Sequence, residues 1–309
     1  MTDVSLIMPV WRTREDWLRQ AVGSVLEERG CDLELIVVDD GSEQPAENLL
    51  ADIGDGRLRH LRVEHGGPYA ARNAGIAVAS GRFVRFVDSD DVVARNSTAR
   101  LLDRSGDSGE ISYGATEMCD EALTPLSVAT SRVAGDAAEE CLMGRFHVYV
   151  VSMLFPRAVV EAAGPWNENA FRVSGDWDFV LRALEQAAVR PLDEVVTRYR
   201  RHAASVTKTA DVAAGVAAGE TVLGGYFARH PELRGSRLER RAYVRLHLDR
   251  ASAHAWLGES RPAARQLWRA ARRDPAATLA ACARRVGGRL RSLIARVARR
   301  RGHAPTTRA

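Results

Sequence analysis

Three short apolar runs, Val4 to Val10, Leu33 to Val38 and Phe83 to Val87, constrain the fold of this 309-residue chain more than any other feature. Each is rich in Val, Ile, Leu or Phe and lacks polar alternation. A half-exposed strand alternates, whereas a run apolar throughout suits a strand covered on both faces, as in a parallel sheet sandwiched by helices. Between the first two runs lies EDWLRQAVGSVLEE, where Trp17, Leu18, Ala21, Val22, Val25 and Leu26 recur at helical spacing. Between the second and third lies YAARNAGIAVASG, a further helix with Gly81 where a C-terminal stop is expected. The order strand, helix, strand, helix, strand predicts right-handed crossovers and a doubly wound α/β sheet.

Ligands of such sheets bind beyond the carboxyl ends of the strands. Those ends read Pro9-Val10, then Asp39-Asp40-Gly41-Ser42, then Asp88-Ser89-Asp90-Asp91. The last is the most pointed, because it ends a buried run with three carboxylates in four residues. In an extended chain Asp88 and Asp90 face the same side roughly 7 Å apart, and their repulsion at an effective dielectric of about 20 is about 2 kcal/mol. A positive charge is expected to relieve it.

Downstream, GPWNENAFRVSGDWDFVLRALEQ reads as a loop entering a helix near Asp176, with Trp177, Val180, Leu181 and Leu184 as its buried stripe. In EVVTRYRRHAASVT, Val195, Thr197 and Tyr199 alternate like an edge strand. From about Ala210 onward the chain turns to Ala, Leu and Arg at helical spacing, and AHAWLGESRPAARQLWRAARRDP resembles one helix-turn-helix repeat. The expected division is a sheet domain over 1–207 and a helical region over 208–309.

Composition narrows the setting. Cys31, Cys119, Cys141 and Cys282 are scattered, with no C-x-x-C pair, so neither a disulfide framework nor a structural zinc site is indicated. No segment has the form of a signal peptide or the length of a membrane span, and a cytoplasmic protein is expected. The net charge of +4 hides an asymmetry: from Ala251 onward fourteen Arg face only Glu259 and Asp274. From Thr278 to Arg300, Leu279, Cys282, Val286, Leu290, Leu293 and Val297 alternate with Arg at helical spacing. Such a helix either lies peripherally on an anionic bilayer or packs its apolar stripe on the helical region, and Gly287-Gly288 weakens the first reading. No reader motif for nucleic acid appears.

Taken in order, VSLIMPVWR, LELIVVDDGS, GGPYAARNAGIAVASGRFVRFVDSDD, SGDWDFVLRAL and YRRHAASVT resemble the inverting glycosyltransferases of family 2, which have the Rossmann-like GT-A fold. The resemblance covers roughly residues 1–207. It implies transfer of a hexose-type sugar from a nucleoside-diphosphate sugar, UDP or dTDP by family leaning, to the hydroxyl of a glycan, lipid-linked or small-molecule acceptor. Polysaccharide synthesis is the usual context. It further implies a divalent cation, Mn²⁺ or Mg²⁺, on a DXD motif, here Asp88, Asp90 and, from the far side, His202. Pro9, Val10, Asp39, Arg72, Asp88 and Ser89 would then line the donor site, and Asp176 would be the general base. The chemistry agrees, since a nucleoside diphosphate leaves with concentrated negative charge that a carboxylate-held cation offsets.

Each residue has a plainer reading. Asp91 could cap the following segment, Asp40-Gly41 is also a common turn signal, Arg72 could be a solvated helix residue, and Arg172 could form a salt bridge rather than line an acceptor pocket. The main departure is Gly175, which stands where the family carries Glu before the catalytic Asp. It leaves open how Asp176 is held, and keeps alive a binding module that has lost catalysis. A nucleotidyltransferase is disfavoured because no Gly-rich phosphate loop follows the first run.

Overall fold

The computed structural model describes residues 2–146, 149–171, 173–203 and 212–284. It divides into two compact units, Met1–Tyr226 and Phe227–Ala309. The first is built on a nine-stranded mixed sheet, the α/β class and GT-A-like architecture expected.

In chain order the strands are β1 (Val4–Val10), β2 (Leu33–Asp40), β3 (Leu58–Val63), β4 (Phe83–Phe86), β5 (Val92–Val93), β6 (Ile111–Cys119), β7 (Pro125–Ala129), β8 (Met153–Pro156) and β9 (Val189–Arg200). They lie side by side as β3-β2-β1-β4-β8-β6-β9-β5, with β7 paired to β6. β3, β2, β1 and β4 are mutually parallel. β8 then reverses direction against both β4 and β6. Every residue of β2 and nearly every one of β1 is buried, as the unbroken apolar runs require. α1 (Glu15–Leu26) buries Trp17, Leu18, Ala21, Val22 and Val25, the expected stripe. α3 (Pro68–Val78) lies close against β1 and β2 because Gly75 has no side chain; a Cβ there would run into Ile7.

Two details differ from expectation. β9 pairs with β6 along its length and with the two-residue β5 at Thr197 and Arg198, so at those positions it is interior rather than an edge. β3 is a true edge with no fully buried residue and with Arg59, His60 and Arg62 exposed, which hides it from a search for apolar runs.

Between these strands lie α2 (Ala46–Leu49), α4 (Ser97–Ser105), α5 (Ala138–Leu142), α6 (Arg157–Ala163) and α7 (Gly175–Leu184). α8 (Val212–Arg229) contains the division between the units, which falls later than 207/208. The second unit is helical, with α9 (Arg237–Trp256), α10 (Ser260–Arg273) and a further helix over 275–284. Val244 and Leu248 of α9 pack with Ala270 of α10, and Ala281 and Cys282 close over them. Among the described residues no helix is long and apolar enough to cross a membrane. Most of the basic stretch Thr278 to Arg300, together with Arg172, lies outside the described residues.

Candidate active site at the carboxyl strand ends

The register of the parallel strands sets the site. Pro9 and Val10 end β1 opposite Val38 and Asp39 of β2, and the Val87 N–H donates to Ile7 O as β4 runs out. The four residues Asp88 to Asp91 then form a tight turn closed by the Asp91 N–H on Asp88 O, 3.1 Å. Three acids therefore occupy one turn at the edge of the core.

Each acid meets a different partner. Asp88 Oδ1 accepts from Arg72 Nη2 at 2.6 Å, and Arg72, buried in α3, has its guanidinium 4.6 Å from the Trp166 ring. Asp90 Oδ2 lies 2.8 Å from His202 Nε2. Asp91 Oδ1 accepts from the Arg200 N–H at 2.8 Å, while its Oδ2, fully buried, has no partner. Ser89 Oγ lies 2.6 Å from Thr13 Oγ1. Burial, followed by the charge of Asp88, pushes the Asp90 carboxyl above its usual range despite His202. Burial and the charges of Asp90 and Asp88 push Asp91 up further. The like charge of Asp88 thus acts on Asp90, but within a turn rather than the extended stretch expected from the sequence.

The structure thus brings together Asp88, Ser89, Asp90, Arg72 and His202. Arg72 reaches Asp88 rather than solvent, and Asp91 ties the turn to β9 instead of capping a helix. Among the described residues no group of three His, Cys, Asp or Glu side chains stands ready around a cation. The residue types nevertheless fit one: two carboxylates and an imidazole are a donor set that Mn²⁺ accepts. The contacts Asp88 and Asp90 make now are ones a cation would replace.

Behind β2, Asp39 orders the following loop, with Oδ1 accepting from the Ser42 N–H and Oδ2 from the Ala46 N–H and Arg62 Nη1. Asp40, also buried, accepts from the Gly66 and Gly67 N–H groups and meets His65 Nδ1. The His65 ring stacks on half-exposed Trp11 at 4.8 Å. Trp11, Thr13, His65 and Arg62 escaped the sequence reading. Trp11, directly after the first apolar run, was the one with a visible signal.

Asp176 is exposed in the first turn of α7, following Ser174 in a left-handed conformation. Its charge raises the phenol pKa of Tyr69, where burial is the larger cause, and Asp88 adds to the same shift. The Tyr69 ring also lies 5.9 Å from the guanidinium of Arg72, the partner of Asp88. Gly175 is explained by the same ring: its N–H donates to Tyr69 Oη at 3.0 Å, and a Cβ on Gly175 would stand 2.5 Å from Tyr69 Cζ. Tyr69 stacks on Trp166, which stacks on Phe179 of α7, so an aromatic pile fills the region beside the missing Glu. Asp178 is buried and paired at 2.9 Å with Arg182 one turn on in the same helix, and Arg182 also donates to Ala163 O and Gly164 O at the end of α6.

Residues 5–149 match the family model described as Glycosyl transferase family 2. Over that stretch the chain is similar to the glycosyltransferases of family 2. Among curated relatives, the uncharacterized glycosyltransferase EpsJ of Bacillus subtilis is 28% identical over 66% of this chain and 63% of its own length. The succinoglycan biosynthesis protein ExoO of Rhizobium meliloti is 35% identical over 35% of this chain and 31% of its own. The chain thus spans less than two thirds of the length of these relatives. Among solved structures, S. aureus TarS 1–349 in complex with UDP-GlcNAc superposes with a TM-score of 0.56 at 14% identity, over 89% of this chain and 92% of that one. That likeness establishes a shared fold.

Proposed function

We propose that the protein is an inverting, metal-dependent glycosyltransferase that moves a sugar from a nucleoside-diphosphate sugar to an acceptor hydroxyl. The observation that carries this reading is the acid turn, with Asp88 beside Arg72 and Asp90 beside His202, and with Tyr69 lying between Arg72 and the first turn of α7 that carries Asp176. Asp88, Asp90 and His202 would hold a Mn²⁺ or Mg²⁺ ion, which when bound offsets the charge of the departing diphosphate. Arg72, already aimed into the turn, offers its guanidinium to phosphate oxygens. Asp176, exposed to approaching substrate, takes the proton of the acceptor hydroxyl as it attacks the anomeric carbon opposite the nucleotide. The end of β1 at Pro9 and Val10 and the loop ordered by Asp39 form the nucleoside side of the pocket.

A uridine or thymidine diphosphate sugar is the proposed donor, in keeping with the UDP-GlcNAc complex of TarS, and an envelope glycan or its lipid-linked precursor is the proposed acceptor, in keeping with the name of ExoO. The reaction belongs at the cytoplasmic face of an anionic membrane. Exposed Trp256, Trp268 and Leu279, with Arg272 over Trp268 at 4.7 Å, support this, although Cys282 of the predicted stripe packs on α9 and α10. Sedimentation with phosphatidylglycerol vesicles but not phosphatidylcholine vesicles tests that placement; equal recovery from both removes it.

The decisive assay is release of nucleoside diphosphate from a panel of nucleotide sugars with Mn²⁺. Asp176→Asn is expected to keep donor binding and lose transfer by about 10²–10⁴-fold, the usual worth of a general base. Transfer near the parental rate removes Asp176 as base, and donor binding without release by the parent marks a binding module.

A further inference from the structure

Arg200 ends β9 two residues before His202 and is buried, with 2% of its surface exposed. Its side chain ignores the nearby carboxylates and takes carbonyl-type oxygens from three separate segments. Nε donates to Asp90 O at 2.8 Å, Nη2 to Gln20 Oε1 of α1 at 2.7 Å, and Nη1 to Glu121 O in the turn after β6. Its own N–H donates to Asp91 Oδ1. The guanidinium lies 5.0 Å from the Trp17 ring, and His202 packs on that ring at 4.8 Å.

Burying a guanidinium costs several kcal/mol unless its donors are used. Here they are used to hold a turn and a strand end at one separation. Asp90 and His202 are 112 residues apart in sequence, and their contact depends on the acid turn and the end of β9 not sliding. We propose that Arg200 is a positioning residue: with Asp91 as backbone anchor and Trp17 as floor, it fixes the Asp90 carboxylate relative to His202 Nε2. The inference rests on the transferase reading for its purpose, but not for its geometry.

Beside the clamp lies a cavity of about 380 Å³ lined by Arg14, Trp17, Gln20, Glu121 and Arg200. It gives a small cation access to the place of the guanidinium, which makes rescue a usable readout.

Arg200→Met keeps most of the side-chain volume and removes the fork. In its crystal structure the Asp90–His202 contact is expected to open, and free-Mn²⁺ electron paramagnetic resonance in the presence of UDP is expected to show binding weakened by about 10–100-fold, as for other groups that orient ligands from behind. Added guanidinium is expected to recover part of the Mn²⁺ affinity in Arg200→Ala. Should Arg200→Met fail to fold, Gln20→Leu removes one acceptor of the fork from an α1 position and is expected to shift Mn²⁺ affinity the same way by a smaller factor. An Asp90–His202 contact preserved in the variant crystal, or unchanged Mn²⁺ affinity in a folded variant, overturns the proposal. If the parent neither binds Mn²⁺ nor consumes any nucleotide sugar, the transferase reading fails, while the crystal comparison still decides the clamp.

Discussion

Carboxylates sit at both ends of the parallel strands, and Glu34 at the amino end and the Asp88–Asp91 turn at the carboxyl end are treated in opposite ways. At the amino end, Glu34 of β2 accepts from Ser5 Oγ, from the Ser80 N–H and Oγ, and pairs with Arg59, while Ser5 in turn accepts from the Gly81 N–H. Burial alone would raise the Glu34 pKa, but these donors outweigh it and hold the group at about 2. At the carboxyl end, Asp90 and Asp91 are raised, and one Asp91 oxygen has no partner. One end has been completed for stability. The acid turn lacks the compensation that Asp39 and Asp40 of the neighbouring β2 receive, as a site reserved for an incoming charge does.

The sharpest way to break this contrast is to neutralise one acid at each end. Asp90→Asn should lower donor turnover by about 10³-fold, equivalent to about 4 kcal/mol of transition-state stabilisation. It should leave the melting temperature unchanged or raise it, because removing a desolvated like charge gains about 1 kcal/mol. The sign follows from the raised pKa: the penalty is absent below the unfolded value of 3.8 and grows as pH rises through the folded one. Calorimetry beside a hydrolysis assay tests both; a variant that melts lower yet turns over normally would place Asp90 with the structural acids.

Glu34→Gln should do the reverse. Its folded pKa lies below the unfolded value of 4.5, so its stabilisation is complete above that pH and is lost as pH falls toward about 2. Allowing for solvent around half-exposed Arg59, the loss at neutral pH is about 2 kcal/mol, with activity per folded molecule unchanged. Urea melts from pH 6 to about pH 2.5 should show the parent converging on the variant. Parallel curves would mean that Glu34 is not the group that titrates.

The contrast also shows why part of the molecule was legible in the sequence. β1, β2 and β4 are covered on both faces, and burial of that kind writes an unbroken apolar run. β3, exposed at the edge, carries Arg59, His60 and Arg62 and leaves no such mark. At the site, Asp88, Asp90, Arg72 and His202 stood out as charges or motif positions, and the structure joins them in pairs. Gln20, Trp17, Tyr69 and Trp166 did not, since their roles exist only across long separations: Gln20 meets Arg200 from 180 residues away, and Trp166 meets Asn73 from 93. The Ser5–Glu34–Ser80 network was equally silent, because serines at strand starts look like ordinary polar residues until the sheet stacks them.

The smallest expected effect asks whether the carboxyl end is tight sterically as well as electrostatically unrelieved. Gly175→Ala places a methyl 2.5 Å from Tyr69 Cζ, and that ring is fixed by Trp166 on its face and by the Gly175 N–H on its hydroxyl. Overpacking of this kind costs about 1–3 kcal/mol, and the better helix propensity of Ala returns up to about 1 kcal/mol, so a net loss of about 1 kcal/mol is expected. Adding Tyr69→Ala removes the obstacle, and the penalty of Ala at position 175 should then vanish in a double-mutant cycle. A Gly175→Ala chain melting at or above the parent would show that Tyr69 yields easily. The absence of Glu before Asp176 would then need an explanation other than the aromatic pile.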